Sequence, residues 1–333
     1  MSPIVSVVIT AHNRKKYLVN AVKSVLNQDS SRNDYEIIVV KNYTDEDIDS
    51  FLEKEGVKCI YTDDQPFGMK LAIGIENSSG DVISFLDDDD EFSKNKISRL
   101  IEVFDDRRVV YHHSSISAID ESGNEHTNGL SKNIPRTIIK EDFKSSDFEL
   151  VMKYKLDWYM SAISCRASLL KNNSTFIKKV PASLDKITFL VCIESGGCLY
   201  FDSSPLTRYR VHESLTTRIT DRDSFLQARK DFYLRSLRSL VDASDYFNNK
   251  TSRYLLNYEI IHGRLLIFFF SDEPEHNLSA YYIIKYAFFS LFKRLNAITY
   301  WSLLDIFRII VPEKARSSFY KRSIRKLNFF ISE

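Results

Sequence analysis

Four consecutive aspartates, Asp87, Asp88, Asp89 and Asp90, follow the apolar run 82–86 (VISFL). That run has the length and composition of a buried strand, so the carboxylates fall at a strand's carboxyl end, where open α/β sheets bind ligands. Side chains alternate along extended backbone, which predicts Asp87 and Asp89 on one face and Asp88 and Asp90 on the other. Two carboxylates on one face suit a hard divalent cation, Mg²⁺ or Mn²⁺, which completes its oxygen shell with water and substrate phosphate. The plain alternative is a solvated acidic turn. Against it, a buried-looking strand feeds the run, and clustering four like charges has a cost that a bound cation would offset.

A sheet must position these groups. Residues 4–10 (IVSVVIT), 35–40 (YEIIVV), 57–61 and 82–86 read as short strands. Leu18, Ala21, Val22, Val25 and Leu26 have the spacing of one buried helix face, with Asn13 as the candidate cap. Helices are also expected over residues 69–77 and around 95–104, so the first ~110 residues read as an α/β nucleotide-binding sheet. Short strands at 109–114 and 198–201, separated by polar loops, are expected to complete the sheet. From residue 218 the pattern is helical, at 225–240, 254–270, 280–291 and 301–310. The expected organisation is a catalytic α/β domain over residues 1–217 and a helical region over 218–333.

Three ordered stretches then resemble family 2 glycosyltransferases: residues 5–28 (VSVVITAHNRKKYLVNAVKSVLNQ), residues 35–40, and residues 80–90 (GDVISFLDDDD). The resemblance implies the GT-A fold and, by position, assigns Asp87 to the nucleotide ribose or the metal. It makes Asp89 the principal metal ligand and leaves Asp88 at the variable position, among the nucleotide-sugar contacts. Thr10, Ala11, Asn13 and Arg14 match the family's loop at the nucleotide base. The usual Asp-Asp-Gly-Ser after the second strand is replaced by Lys41, Asn42, Tyr43 and Thr44, with Asn42 a substitute hydrogen-bonding reader. The common Ala-Arg-Asn stretch is also absent from residues 68–75 (GMKLAIGI), leaving Lys70 as the phosphate contact.

Further along, Leu184 and Asp185 precede residues 205–217 (PLTRYRVHESLTT) in an arrangement similar to the family's Glu-Asp and Tyr-Arg-x-His motifs. The resemblance makes Asp185 the general base; an ordinary helix cap is the alternative. It puts His212 beside the diphosphate as a metal ligand or phosphate donor, helped by Arg208 or Arg210; a surface histidine is the alternative. Asp157 and Trp158 are either an acceptor-stacking pair or core.

Composition bounds the remainder. With 44% hydrophobic and 27% charged residues, 7 prolines and 9 glycines, the chain is globular. Its net charge of +1 divides unevenly, because residues 285–333 carry ten Lys and Arg against three Asp and Glu. There Tyr320, Ile324, Leu327 and Ile331 form an apolar stripe with Arg322, Arg325 and Lys326 on another side. Such a helix either lies on an anionic membrane or packs against protein, including a second copy. No nucleic-acid recognition motif is found. Scattered cysteines, no secretory signal and no apolar stretch of spanning length point to the cytoplasm, with peripheral attachment to its membrane face in view.

The expected function is inverting transfer of a sugar from a nucleotide-diphosphate sugar to a glycan, glycolipid or lipid-linked oligosaccharide, assisted by Mn²⁺ or Mg²⁺. Two alternatives are an inactive subunit that keeps the fold and a sugar-phosphate nucleotidyltransferase. The latter would want a glycine-rich loop after the first strand, and residues 10–14 contain none.

Overall fold

The structure is a computed structural model, and it describes residues 4–63, 66–126, 134–212, 221–271, 314 and 316–321. Two compact units divide the chain: residues 1–144 with 154–210, and residues 145–153 with 211–333.

The first unit opens with β1 (Val5–Ala11), α1 (Leu18–Leu26), β2 (Tyr35–Lys41), α2 (Glu46–Lys54), β3 (Lys58–Tyr61), α3 (Phe67–Glu76) and β4 (Val82–Asp87). β1 lies between β2 and β4, parallel to both, with Thr10 in register with Val40 on one side and Asp87 on the other. Three strand ends therefore deliver their loops to one place.

α1 forms because Leu18, Ala21, Val22 and Val25 bury one face. Its cap is Tyr17 rather than Asn13, which adopts a left-handed backbone (φ 54°) and pairs with Asn42 instead. α2, not anticipated from the sequence, is capped by Asp45, whose carboxylate accepts the Ile48 N–H, and it buries only Ile48 and Leu52. In α3, a Cβ on Gly74 would meet Val8 Cγ1 at 2.3 Å, so the missing side chain lets this helix lie close on β1.

The unit continues through β5 (Glu91–Phe92), α4 (Lys96–Asp105), β6 (Val109–Ile119), β7 (Glu125–His126) and β8 (Ile138–Lys140). After α5 (Phe148–Tyr154) come β9 (Ile163–Arg166), α6 (Ala167–Asn172), α7 (Ser174–Ile177), α8 (Leu184–Ser195) and β10 (Cys198–Arg210). Among the described residues the sheet runs β3-β2-β1-β4-β9-β6-β10-β5, with β7 on β6 and β8 on β10. It is mixed: β9 is antiparallel to β4 and β6, while β10 is parallel to β6.

β6 and β10 extend well past the expected 109–114 and 198–201. Pro205 lacks an N–H, yet it interrupts β10 without ending it: the register shifts around Asp202 and Pro205 and resumes through Arg210. This strand thus carries Arg208 and Arg210 back toward the aspartates, where they pair as described below.

In the second unit α9 (Arg222–Asp242) and α10 (Lys250–Phe270) form an antiparallel pair, with Phe225 and Leu226 near the start of one helix packed with Phe269 and Phe270 at the end of the other. The Phe148 ring packs edge-on to Tyr258 at 4.4 Å, so residues 145–153 belong with these helices despite their distance in sequence. Tyr320, the first residue of the expected amphipathic stripe, packs on Phe225 at 5.5 Å. Ile324, Leu327, Ile331 and the neighbouring basic residues lie outside the described residues, as do the helices expected at 280–291 and 301–310. Among the described residues no helix is long and apolar enough to cross a membrane.

Candidate active site

β4 ends at Asp87, and the Asp90 N–H bonds to the Asp87 carbonyl at 3.2 Å, so the four aspartates close a turn instead of continuing the strand. The alternation expected from extended backbone therefore fails after one residue. Asp90 comes back beside Asp87 and Asp89, and one carboxylate oxygen from each of these three lies within 4.8 Å of the others. Asp88 departs alone and is ion-paired with Arg14.

Asp90 is held on both oxygens. Ser161 Oγ donates to Oδ2 at 2.7 Å, and the Arg210 backbone N–H donates to Oδ1 at 2.9 Å. The Arg210 guanidinium is fully buried, and its Nε donates to the Asp89 carbonyl at 2.8 Å. Its Nη1 reaches the carbonyls of Asp120 and Glu121 at 2.9 and 3.0 Å, and its Nη2 pairs with the Glu91 carboxylate. Arg208 pairs with the other Glu91 oxygen and with the Gly123 carbonyl. Both arginines offered above as helpers at a diphosphate are thus engaged with protein partners that fix the acidic turn.

The cluster is electrostatically strained. Burial pushes the Asp87 carboxyl up to about 8, with Asp89 and Asp88 adding to the rise and Arg14 opposing it. Asp88 is raised to about 6 by burial, against the pull of its Arg14 hydrogen bond. Burial, then Asp89 and Asp87, hold Asp90 well above the usual carboxylate range. Three converging oxygen donors whose charges raise one another fit a hard divalent cation, Mn²⁺ or Mg²⁺, which would stabilise the ionised forms. Asp87, Asp89 and Asp90 would hold it.

The loops after β1 and β2 are laced together beside the acidic turn. Asn42 Oδ1 accepts the Asn13 N–H at 2.9 Å, and Asn42 Nδ2 donates to Asn13 Oδ1 at 2.8 Å. Tyr43 Oη donates to the Arg14 carbonyl at 2.9 Å, and Arg14 Nη1 reaches Asp89 Oδ2 at 2.6 Å. Thr10 is nearly buried beside Asp87, whereas the Ala11 side chain packs into the core. Lys70 is buried, and its Nζ lies 2.6 Å from His12 Nδ1. Lys41, where the family has an aspartate, is also buried and ion-paired at 2.7 Å with Asp49 of α2.

Asp185 sits half-buried in the first turn of α8, where its Oδ1 accepts the Lys186 N–H at 2.9 Å. The cap itself is Ser183, in left-handed backbone. The charge on Asp185 makes the smallest of the named contributions to the rise of Asp87, after burial, Asp89 and Asp88. Trp158 is half-buried, with Lys155 Nζ 3.9 Å and Lys186 Nζ 5.4 Å from its ring centroid. His212 lies two residues beyond β10, in the second unit.

Sequence reasoning missed the placement of Asp90 among the three converging carboxylates, and it missed Ser161 and the structural use of Arg210. Asp90 was visible as a fourth acid, but its return depends on a turn. Ser161 carried no signal, since an isolated serine after an aromatic stretch has no pattern.

The fold is the GT-A glycosyltransferase fold. Staphylococcus aureus TarS (residues 1–349, with UDP-GlcNAc) superposes with TM-score 0.55 at 13% identity over 86% of this chain and 78% of that one. A mannosyltransferase from Pyrobaculum calidifontis, solved with GDP-Man and Mn²⁺, gives TM-score 0.53 at 13% identity over 96% and 87%. Residues 6–160 match the family described as "Glycosyl transferase family 2", and this stretch is a family 2 glycosyltransferase domain. The chain is 29% identical over 199 residues to the Campylobacter jejuni GalNAc(5)-diNAcBac-PP-undecaprenol beta-1,3-glucosyltransferase, covering 53% of this chain and 63% of the relative. It spans about a fifth of the length of the first curated relatives it matches.

Proposed function

We propose that this chain transfers a sugar, with inversion, from a nucleotide-diphosphate sugar to a hydroxyl of a glycan or lipid-linked glycan, assisted by Mn²⁺ or Mg²⁺. The observation that carries the reading is the convergence of Asp87, Asp89 and Asp90 at the end of β4. A divalent cation bound there supplies positive charge to the departing diphosphate. The glycan-bearing lipid acceptor is supported by the named activity of the Campylobacter relative.

In this reading Asn13 and Asn42 present amide groups to the nucleotide, and Thr10 offers a hydroxyl beside Asp87. Arg14, held between Asp88 and Asp89, stands ready to turn its guanidinium to the phosphates. Asp185 takes the proton from the acceptor hydroxyl as its oxygen forms a bond to the anomeric carbon and the bond to the diphosphate breaks. Rate enhancement then comes from positioning and from stabilising the leaving group's charge.

The test is a panel of nucleotide sugars with Mn²⁺ or Mg²⁺ and membrane extract as acceptor source, following nucleoside diphosphate release. The expected result is cation-dependent release from wild type that Asp89→Ala and Asp185→Asn each abolish. No release and no cation-dependent nucleotide binding across the panel would replace this reading with that of a non-catalytic subunit.

A further inference from the structure

Ser161 occupies a 3-10 turn, Met160–Ala162, between α5 and β9, and is fully buried. Its hydroxyl has one proton to give. Because the Asp87 N–H donates to Ser161 Oγ at 3.0 Å, that oxygen is the acceptor there, and its proton goes to Asp90 Oδ2 at 2.7 Å. One hydroxyl thus spans the first and last members of the three-carboxylate group.

The turn that presents this hydroxyl is itself held from several directions. Thr207 Oγ1, from β10, donates to the Ser161 carbonyl at 2.9 Å, and Thr207 also meets Ser114 of β6 at 3.4 Å. The chain enters the turn through Tyr159 in left-handed backbone (φ 64°, ψ 85°), and the Ala162 N–H closes on the Tyr159 carbonyl at 2.8 Å. A non-glycine residue held in that region is strained and persists only where its surroundings over-determine it.

We propose that Ser161 is a positioning residue for the cation: by bridging the Asp87 backbone and the Asp90 carboxylate, it sets the separation of the acidic oxygens and hence the site's affinity for a divalent ion. The proposal rests on the cation-assisted reading above. Without the hydroxyl, Asp87 loses the acceptor for its N–H and Asp90 keeps only the Arg210 N–H, so its carboxylate is free to rotate. Outer groups that orient metal ligands are typically worth about 10- to 100-fold in affinity.

The experiment is a Mn²⁺ titration of the full chain without any nucleotide, following free Mn²⁺ by electron paramagnetic resonance. Wild type is compared with Ser161→Ala, Ser161→Cys and Ser164→Ala. The last removes a buried serine hydroxyl of the same kind, bonded to Ser84 Oγ at 2.9 Å and making no contact with the aspartates. The expected result is about tenfold weaker Mn²⁺ binding in Ser161→Ala, a similar loss in Ser161→Cys because a thiol donates poorly, and wild-type affinity in Ser164→Ala. Mn²⁺ binding by either Ser161 variant within about twofold of wild type would overturn the proposal while leaving the transferase reading intact. Equal weakening in Ser164→Ala would overturn it too, by reducing the effect to general loosening. A wild-type chain that binds no Mn²⁺ would remove the cation reading and this proposal together.

Discussion

Arg14 Nη1 lies 2.6 Å from Asp89 Oδ2, so the loop after β1 places a guanidinium where a bound cation would compete for the same carboxylate. Arg14 is kept protonated by its hydrogen bond to Asp88 and the charges of Asp88, Asp89 and Asp87, which outweigh its partial burial. Arg14→Ala is expected to bind Mn²⁺ about three- to tenfold more tightly in the absence of donor, since a like charge is removed from the site. The same variant should bind nucleoside diphosphate more weakly. Paired calorimetric titrations check both directions, and a loss of Mn²⁺ affinity would mean that Arg14 supports the aspartates rather than competing for them.

Asp185→Asn keeps the shape of the first turn of α8 and removes the carboxylate that would accept the acceptor's proton. The expected outcome is a fall in kcat of about 10²- to 10⁴-fold, with nucleotide affinity unchanged. Steady-state rates and nucleotide binding on the same preparation separate the two quantities. Lost nucleotide binding would reassign Asp185 to the donor site.

Arg210 is buried, with Glu91 as its ionic partner and its guanidinium donating to three carbonyls, those of Asp89, Asp120 and Glu121. Arg210→Met should destabilise the first unit by about 3–5 kcal/mol, because it leaves Glu91 and several carbonyls short of donors. Arg210→Lys restores the charge but not the fork and should fall between. Urea unfolding measures the difference; a loss below ~1 kcal/mol for the methionine variant would show that Arg208 alone satisfies Glu91.

His112 and His113 are buried on β6, and burial pushes them down to about 4 and about 3. His113 Nε2 donates to the Trp158 carbonyl at 2.8 Å, as a neutral ring can. The unfolded chain binds protons at these rings near pH 6.5 while the folded chain does not, so their effect is to make stability rise with pH across the interval from about 4 to 6.5. Lowering the pH from 6.5 to 5 should cost about 1.6 kcal/mol per histidine. His113→Gln, which retains an N–H donor, should flatten the pH dependence of unfolding; an unchanged slope would exclude His113 as its source.

The parallel core was legible because period and length signalled each strand before any contact was known: residues 4–10, 35–40, 57–61 and 82–86 lie on β1 to β4 with ends shifted by a residue. α2 was not legible, since Glu46, Asp47 and Asp49 obscure the two apolar residues that face inward. The length of β10 was hidden by Pro205, whose lost N–H the sheet accommodates with a register shift. At the site, residue types announced a cation-binding turn, but the strand rule assigned Asp90 to the wrong side. A single hydrogen bond from Asp90 to Asp87 reverses it. Arg208 and Arg210 looked like phosphate ligands for as long as Glu91 was only another acid in the run.

The acidic turn is made from neighbours, but its two fastenings come from 71 and 120 residues away, at Ser161 and Arg210. Local turns close in microseconds or less, whereas contacts of such separation wait for loop closure and sheet assembly. During folding the four aspartates would therefore be present together early but unfastened. Their final spacing arises only when β9 and β10 dock, so the geometry that the three carboxylates share would be completed at the end of the chain's assembly rather than the beginning.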